Sequence, residues 1–222
     1  MSGHPPMVKI CGLQRAQDAA LADELGTDYL GVILSAGFSR SVSGPVAAQI
    51  LSGTSARRVA VVVDESAEDA LALAESIEAD VLQLHGTESP EMLTDLAARW
   101  SGLIWKAVRA GALADLQDVV STHKDVVDGF LVEGWKDGVV GGGGVQLTLL
   151  PAEVRRMLPN HNRFVLAGGL NPDNVAEAAA RFLPNVVDVS SGVEVEPGAK
   201  DPECLRRFFD EARKISSFEE HP

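Results

Sequence analysis

Short β-branched runs alternate with longer stretches rich in Ala, Leu and Glu along the whole chain, and this alternation limits the fold more than any other feature. Eight strand candidates cover residues 8–11, 29–34, 57–63, 81–85, 103–109, 127–133, 163–168 and 186–190. Eight helical patterns lie between and after them, at 15–25, 45–51, 68–77, 90–100, 113–122, 149–158, 172–182 and 202–214. Three of the helices open on a turn residue followed by proline (Ser89-Pro90, Asn171-Pro172, Asp201-Pro202), the pattern of an N-cap with Pro at the first helical position. Regular strand–helix alternation predicts a parallel sheet, and eight units predict closure into an α/β (β/α)8 TIM barrel in preference to an open doubly wound sheet. No linker or shift in composition divides the sequence, so residues 1–222 are expected to form one barrel domain.

Composition narrows the partners. An apolar share of 45% supports a sizeable core, and no apolar run approaches the roughly 20 residues that span a bilayer, so no membrane association is expected. The first residues, MSGHPPMVKI, lack the basic flank and apolar stretch of a secretory signal, and a cytoplasmic location is expected. The two cysteines, Cys11 and Cys204, sit near opposite ends of the sequence and are expected to be free thiols. A net charge of −13 without a basic run argues against nucleic acid as a partner. That charge also repels small anions, so an anionic ligand requires local positive potential or backbone N–H donors. No His or Cys pair stands at metal-ligand spacing, so no metal site is expected. The sequence carries no signal for an oligomeric state.

Barrel enzymes place their chemistry at the carboxyl ends of the strands, and side chains two apart on a strand share a face. The strand ends supply Lys9 and Cys11, Gln83 and His85, Lys106, Glu133, Gly168 and Gly169, and Asp188, Ser190 and Ser191. Cys11 reads as a base or nucleophile if Lys9 or a helix terminus favours its thiolate, and equally as a packed core cysteine. His85 is a ligand-orienting donor or a capped strand end, and Arg40, on the loop after the second strand, is a carboxylate partner or a solvated arginine. Glu133 lies across the barrel order from Cys11, so a thiolate and a carboxylic acid can flank one substrate. Gly168-Gly169 and Ser190-Ser191-Gly192 end strands seven and eight, where barrels often hold phosphate through close backbone N–H groups and hydroxyls. Four consecutive glycines at 141–144 form a loop after strand six.

The segments Lys9-Ile10-Cys11-Gly12, Val81-Leu82-Gln83-Leu84-His85-Gly86, Leu166-Ala167-Gly168-Gly169-Leu170-Asn171-Pro172 and Asp188-Val189-Ser190-Ser191-Gly192-Val193-Glu194, followed by Pro197-Gly198 and Lys200-Asp201, resemble the phosphoribosylanthranilate isomerases. The resemblance implies a step of tryptophan biosynthesis. In it N-(5-phosphoribosyl)anthranilate becomes 1-(2-carboxyphenylamino)-1-deoxyribulose 5-phosphate by Amadori rearrangement, without a cofactor. By position it makes Cys11 the general base and Glu133 the general acid. Arg40 would hold the anthranilate carboxylate, and Lys9, Gln83, His85 and Asp188 would line the substrate site. Gly168, Gly169, Ser190, Ser191 and Gly192 would take the phosphate of a small phosphorylated substrate.

Three positions depart from the family pattern, all on the side of the site away from the phosphate. Glu133 stands where the family has aspartic acid, with Asp137 and Asp188 as further acidic candidates. The glycine run leads into Val145-Gln146-Leu147-Thr148 where the family has Phe-Asp-Trp, and Phe38-Ser39 precede Arg40 in place of Ser-Pro. Two other readings remain at this level: a related barrel acting on a different phosphorylated sugar or amine, and a non-catalytic phosphate-binding barrel.

Overall fold

The computed structural model describes residues 5–134 and 146–214. The four-glycine run and Asp137 lie outside the described residues. Eight parallel strands close into a barrel in chain order: β1 (Met7–Ile10), β2 (Tyr29–Ile33), β3 (Arg57–Val62), β4 (Val81–Leu84), β5 (Leu103–Ala110), β6 (Gly129–Gly134), β7 (Arg163–Leu166) and β8 (Val186–Val189). The helices α1 (Ala16–Glu24), α2 (Gly44–Ile50), α3 (Ala67–Glu75), α4 (Pro90–Arg99), α5 (Leu113–His123), α6 (Pro151–Met157), α7 (Val175–Phe182) and α8 (Pro202–Arg213) follow the strands in turn. The predicted (β/α)8 barrel is the fold observed. Among the described residues no helix is long and apolar enough to cross a membrane.

Alternation along each strand divides the apolar residues into two cores. Tyr29, Val59, Val61, Val81, Trp105, Leu131, Val165 and Val186 point inward and fill the barrel axis. Their neighbours Leu30, Ala60, Val62, Leu82, Ile104, Phe130, Val132 and Val187 point outward and bury the apolar faces of the helices. Tyr29 and Trp105 meet edge to face inside the barrel, 4.9 Å between ring centroids.

A fourfold pattern of side-chain caps closes the amino-terminal end. Asp28, Asp80, Asp128 and Asn185 each stand directly before an even-numbered strand. Each accepts a backbone N–H from the second residue of the preceding odd-numbered strand: Val8, Arg58 and Ile104 at 2.8 Å and Phe164 at 2.7 Å. These N–H groups sit at barrel positions that a closed ladder leaves without a partner, and the caps pin the strand register from below. A pinned register sets which inward side chains share a level at the opposite, functional end.

Two local expectations change. Ser89 and Asp201 do cap their helices, accepting from Met92 N at 3.3 Å and from Glu203 N at 2.7 Å respectively. Asn171-Pro172, however, does not open a helix. Asn171 Oδ1 accepts from Asp173 N and Asn174 Oδ1 from Asn171 N, both at 2.8 Å, forming a side-chain-closed turn that delays α7 to Val175. The second change is an unexpected hairpin, β9 (Glu194–Glu196) with β10 (Ala199–Lys200), inserted between β8 and α8.

Candidate active site

Inward parity brings Cys11, Gln83, His85, Asp188 and Ser190 to the carboxyl end of the barrel, where with Arg40 and Arg109 they line one cavity of about 310 Å³. The volume falls at the low end of the range for small-molecule sites. The rest of its wall comes from the apolar Ile33, Phe38, Val61 and Val63, with Gly37 and Ser39 of the loop after β2.

Cys11 sits at the top of β1, and Lys9 lies one inward position below it, with no exposed surface. Lys9 Nζ donates to Asp188 Oδ1 at 2.9 Å, a pair across the β1–β8 seam whose register sets the two residues side by side. The space for this arrangement comes from β2: a Cβ on Gly31 would lie 3.0 Å from Cys11 Sγ and 3.3 Å from Lys9 Nζ. Burial opposes the charge of Lys9, yet Asp188 and then Cys11 outweigh it and hold the ammonium above its ordinary value. Burial pushes the Cys11 thiol up, and Lys9 pulls part of that shift back. Lys9 was expected to line the substrate site; it lies instead beneath it, in reach of the thiol and of Asp188.

Across the mouth, Glu133 Oε1 is 3.1 Å from His85 Nε2 and 3.2 Å from Arg109 Nε, while His85 Nδ1 lies 3.0 Å from Gln83 Nε2. With Nε2–H donating to the carboxylate, Nδ1 accepts from the Gln83 amide. Burial pushes the Glu133 carboxyl up, but His85 and Arg109 more than offset it and leave it below the usual carboxylate range.

Arg109 was not among the polar strand-end residues expected at the mouth, and Lys106 was. On β5 the inward set is Trp105, Ala107 and Arg109, so Lys106 faces the helices, where its Nζ donates to Glu88 Oε2 at 2.8 Å and to the Gly86 carbonyl at 2.7 Å. Counting by twos from the buried Trp105 finds Arg109; choosing the polar residue nearest the middle of the run finds Lys106.

The predicted phosphate residues Gly168, Gly169, Ser190, Ser191 and Gly192 line a second, smaller pocket of about 50 Å³ that shares Asp188 and Ser190 with the main cavity. Gly168 and Gly169 adopt φ of 85° and 64°, which turns the backbone toward the mouth in a conformation other residues resist. Asn174 Nδ2 holds the turn by donating to the Gly169 carbonyl at 2.8 Å. The β8 loop packs so tightly against this turn that a side chain at Gly192 would run into the Leu170 carbonyl.

Arg40 is the predicted carboxylate partner, and its guanidinium is already engaged. Nε lies 2.9 Å from Glu194 Oε1 and Nη2 lies 2.6 Å from Glu194 Oε2. Burial raises the Glu194 carboxyl, and Arg40 and Lys200 more than reverse this. Lys200 Nζ donates to Glu194 Oε1 at 2.7 Å, to the Cys11 carbonyl at 2.6 Å and to the Ser190 carbonyl at 3.1 Å. Among the described residues, no cluster of three or more His, Cys, Asp or Glu side chains has a metal-binding arrangement.

Comparison with known proteins gives the family and the fold. The family model for N-(5′-phosphoribosyl)anthranilate isomerase matches residues 8–211. The N-(5′-phosphoribosyl)anthranilate isomerase of Halorhodospira halophila is 36% identical over 211 residues, covering 93% of this chain and 96% of the relative. The crystal structure of phosphoribosylanthranilate isomerase from Thermotoga maritima superposes with a TM-score of 0.81 at 31% identity, covering 93% of this chain and 98% of that one. Another such isomerase, solved with reduced 1-(o-carboxyphenylamino)-1-deoxyribulose 5-phosphate, gives a TM-score of 0.80 at 31% identity over the same shares. With similarity running from the first strand to the last helix, the chain belongs to the N-(5′-phosphoribosyl)anthranilate isomerase family.

Proposed function

We propose that the protein converts N-(5′-phosphoribosyl)anthranilate to 1-(2-carboxyphenylamino)-1-deoxyribulose 5-phosphate, with Cys11 as general base and Glu133 as general acid. The observation that carries the reading is convergence: a thiol over a buried ammonium, an imidazole and an arginine that hold the Glu133 carboxylate directly behind the cavity wall, and a glycine–serine pocket beside them meet at one mouth. In this scheme the phosphate rests in the pocket of Gly168, Gly169, Ser190, Ser191 and Gly192, and the ring carboxylate meets Arg40.

Protonation of the furanose ring oxygen opens the sugar to an imine at C1′. The Cys11 thiolate then takes the C2′ proton to give the enolamine, and ketonisation moves a proton onto C1′ as the C2′ hydroxyl loses its own, so that C1′ is reduced as C2′ is oxidised. The redox change balances within the substrate, and the scheme draws on no external oxidant. Lys9, held by Asp188, stabilises the thiolate from below. Glu133 is held as a carboxylate by His85 and Arg109 in the free protein, so in this scheme it takes up a proton when the substrate binds and passes it to the ring oxygen.

The test is turnover of phosphoribosylanthranilate by the purified protein, paired with complementation of a tryptophan auxotroph lacking the isomerase. Wild type is expected to be active, and Cys11→Ser to lose on the order of a hundredfold or more in kcat while still binding a product analogue. An inactive wild type sinks the proposal.

A further inference from the structure

Glu194 and Lys200 belong to motifs that the reaction itself leaves without a task, and both are buried against the site. Resting on the proposed function, we infer that Glu194 is a positioning residue that sets which edge of the Arg40 guanidinium faces the substrate, with Lys200 fixing Glu194 in turn.

A guanidinium offers a carboxylate two parallel N–H bonds through one edge at a time. Glu194 occupies the Nε/Nη2 edge with contacts at 2.9 and 2.6 Å, so the edge left for a ligand carboxylate is the one that includes Nη1, whose contact is a long 3.4 Å to the Ser39 hydroxyl, another residue of the cavity wall. Glu194 cannot itself meet the ligand: its side chain is 4% exposed and does not line the cavity, whereas Arg40 does. Lys200 also holds the carboxylate, at Oε1, and its other two contacts tie the ammonium to the ends of β1 and β8 through the Cys11 and Ser190 carbonyls. One ammonium therefore sets the base, the phosphate loop and the arginine in a common frame.

The route of Arg40 to Glu194 is built into the backbone. The arginine lies on the loop after β2 and must cross the top of β1 to reach a residue 154 positions away. It crosses at Gly12, where φ is 69° and a Cβ would come within 2.6 Å of Arg40 Cδ and 2.8 Å of Ser190 Oγ. The glycine that follows the candidate base is thus the gap through which the arginine passes.

Charge and position make opposite predictions for Glu194→Gln, which keeps the side-chain shape. Removing a negative charge strengthens the attraction for any anionic ligand, whereas releasing Arg40 costs only ligands that carry the ring carboxylate. Two probes separate these effects in a calorimetric titration: reduced 1-(2-carboxyphenylamino)-1-deoxyribulose 5-phosphate, and the same compound without the ring carboxylate. Glu194→Gln is expected to weaken the first by about tenfold or more, the scale of a lost charge-assisted pair, and the second by less than about twofold. Glu194→Asp retains the charge but shortens the arm, and is expected to show the same selective loss; it serves as the reading if Glu194→Gln does not fold. Equal weakening of both probes, or no weakening of the first, overturns the role of Glu194 and leaves the proposed reaction standing. A wild-type protein indifferent to the ring carboxylate overturns the assignment of Arg40 and this role with it.

Discussion

Position 133 separates the geometry of this chain from the pattern of its family, and two substitutions there make opposite use of it. Glu133→Gln keeps the shape and can still accept from Arg109, but it has no proton to give. Loss of a positioned general acid costs about 10² to 10⁴ in rate, or roughly 3 to 5.5 kcal/mol of barrier. Glu133→Asp restores the residue type common in the family and keeps an acid, but withdraws it by one methylene, about 1.3–1.5 Å. The contacts of 3.1 Å to His85 and 3.2 Å to Arg109 would then stretch to about 4.5 Å, outside hydrogen-bond range. Two charge-assisted bonds, each about 1.5–3 kcal/mol, are at stake, and misplacement by about 1 Å alone costs on the order of a hundredfold. Both variants are therefore expected to fall by about two orders of magnitude or more in kcat, the aspartate for want of position and the glutamine for want of a proton. The assay is steady-state turnover of phosphoribosylanthranilate, with thermal melting to show that each variant is folded. An aspartate variant as fast as wild type would refute the claim that His85 and Arg109 fix the acid; a glutamine variant as fast as wild type would place the acid elsewhere, with Asp188 the nearest carboxyl at the mouth.

The role of Lys9 is read from alkylation of Cys11 by iodoacetamide as a function of pH, with Cys204 replaced by Ser. Burial already raises the Cys11 thiol and Lys9 lowers it, so Lys9→Met is expected to move the reactive limb to higher pH, and an unmoved limb would remove Lys9 from the mechanism. Acid stability carries a second sign. Glu133 is depressed below its unfolded value, so its contribution is present above the ordinary carboxylate range, near pH 4.5, and is lost as pH falls through its lower folded value. Thermal melts of wild type are thus expected to fall more steeply below about pH 4.5 than those of Glu133→Gln, and parallel curves would contradict the ion pairing at that position.

The alternation of strand and helix segments was enough to place all eight units of the barrel, because period 2 and period 3.6 are written locally and parallel strands need a helix between them. The positions of Cys11, His85, Glu133 and the two glycine–serine loops at one end of the barrel follow from the same pattern: each is a polar or glycine residue where a strand stops, and barrels put such residues at one end. Parity is not local in the same way: the β5 run whose inward members are Trp105, Ala107 and Arg109 shows its register only once a neighbouring strand is placed, and Lys106 then faces outward to Glu88. Asn171-Pro172 carries a capping signature yet forms a side-chain-closed turn, because both begin with the same residues.

What the sequence by itself determined was the set of units, their order, and the end of the barrel at which chemistry collects. Tertiary structure decided the partners: Lys9 with Asp188 and Lys200 with Cys11 are 179 and 189 positions apart, and Arg40 with Glu194 is 154. No local pattern encodes such pairs, because they arise from closing the last strand onto the first at a register set by the barrel as a whole. Closure turned Lys9 from a ligand-facing cation into a buried one beneath the thiol, and gave Glu194 and Lys200, two residues of a recognisable motif without an evident task, an arginine to hold.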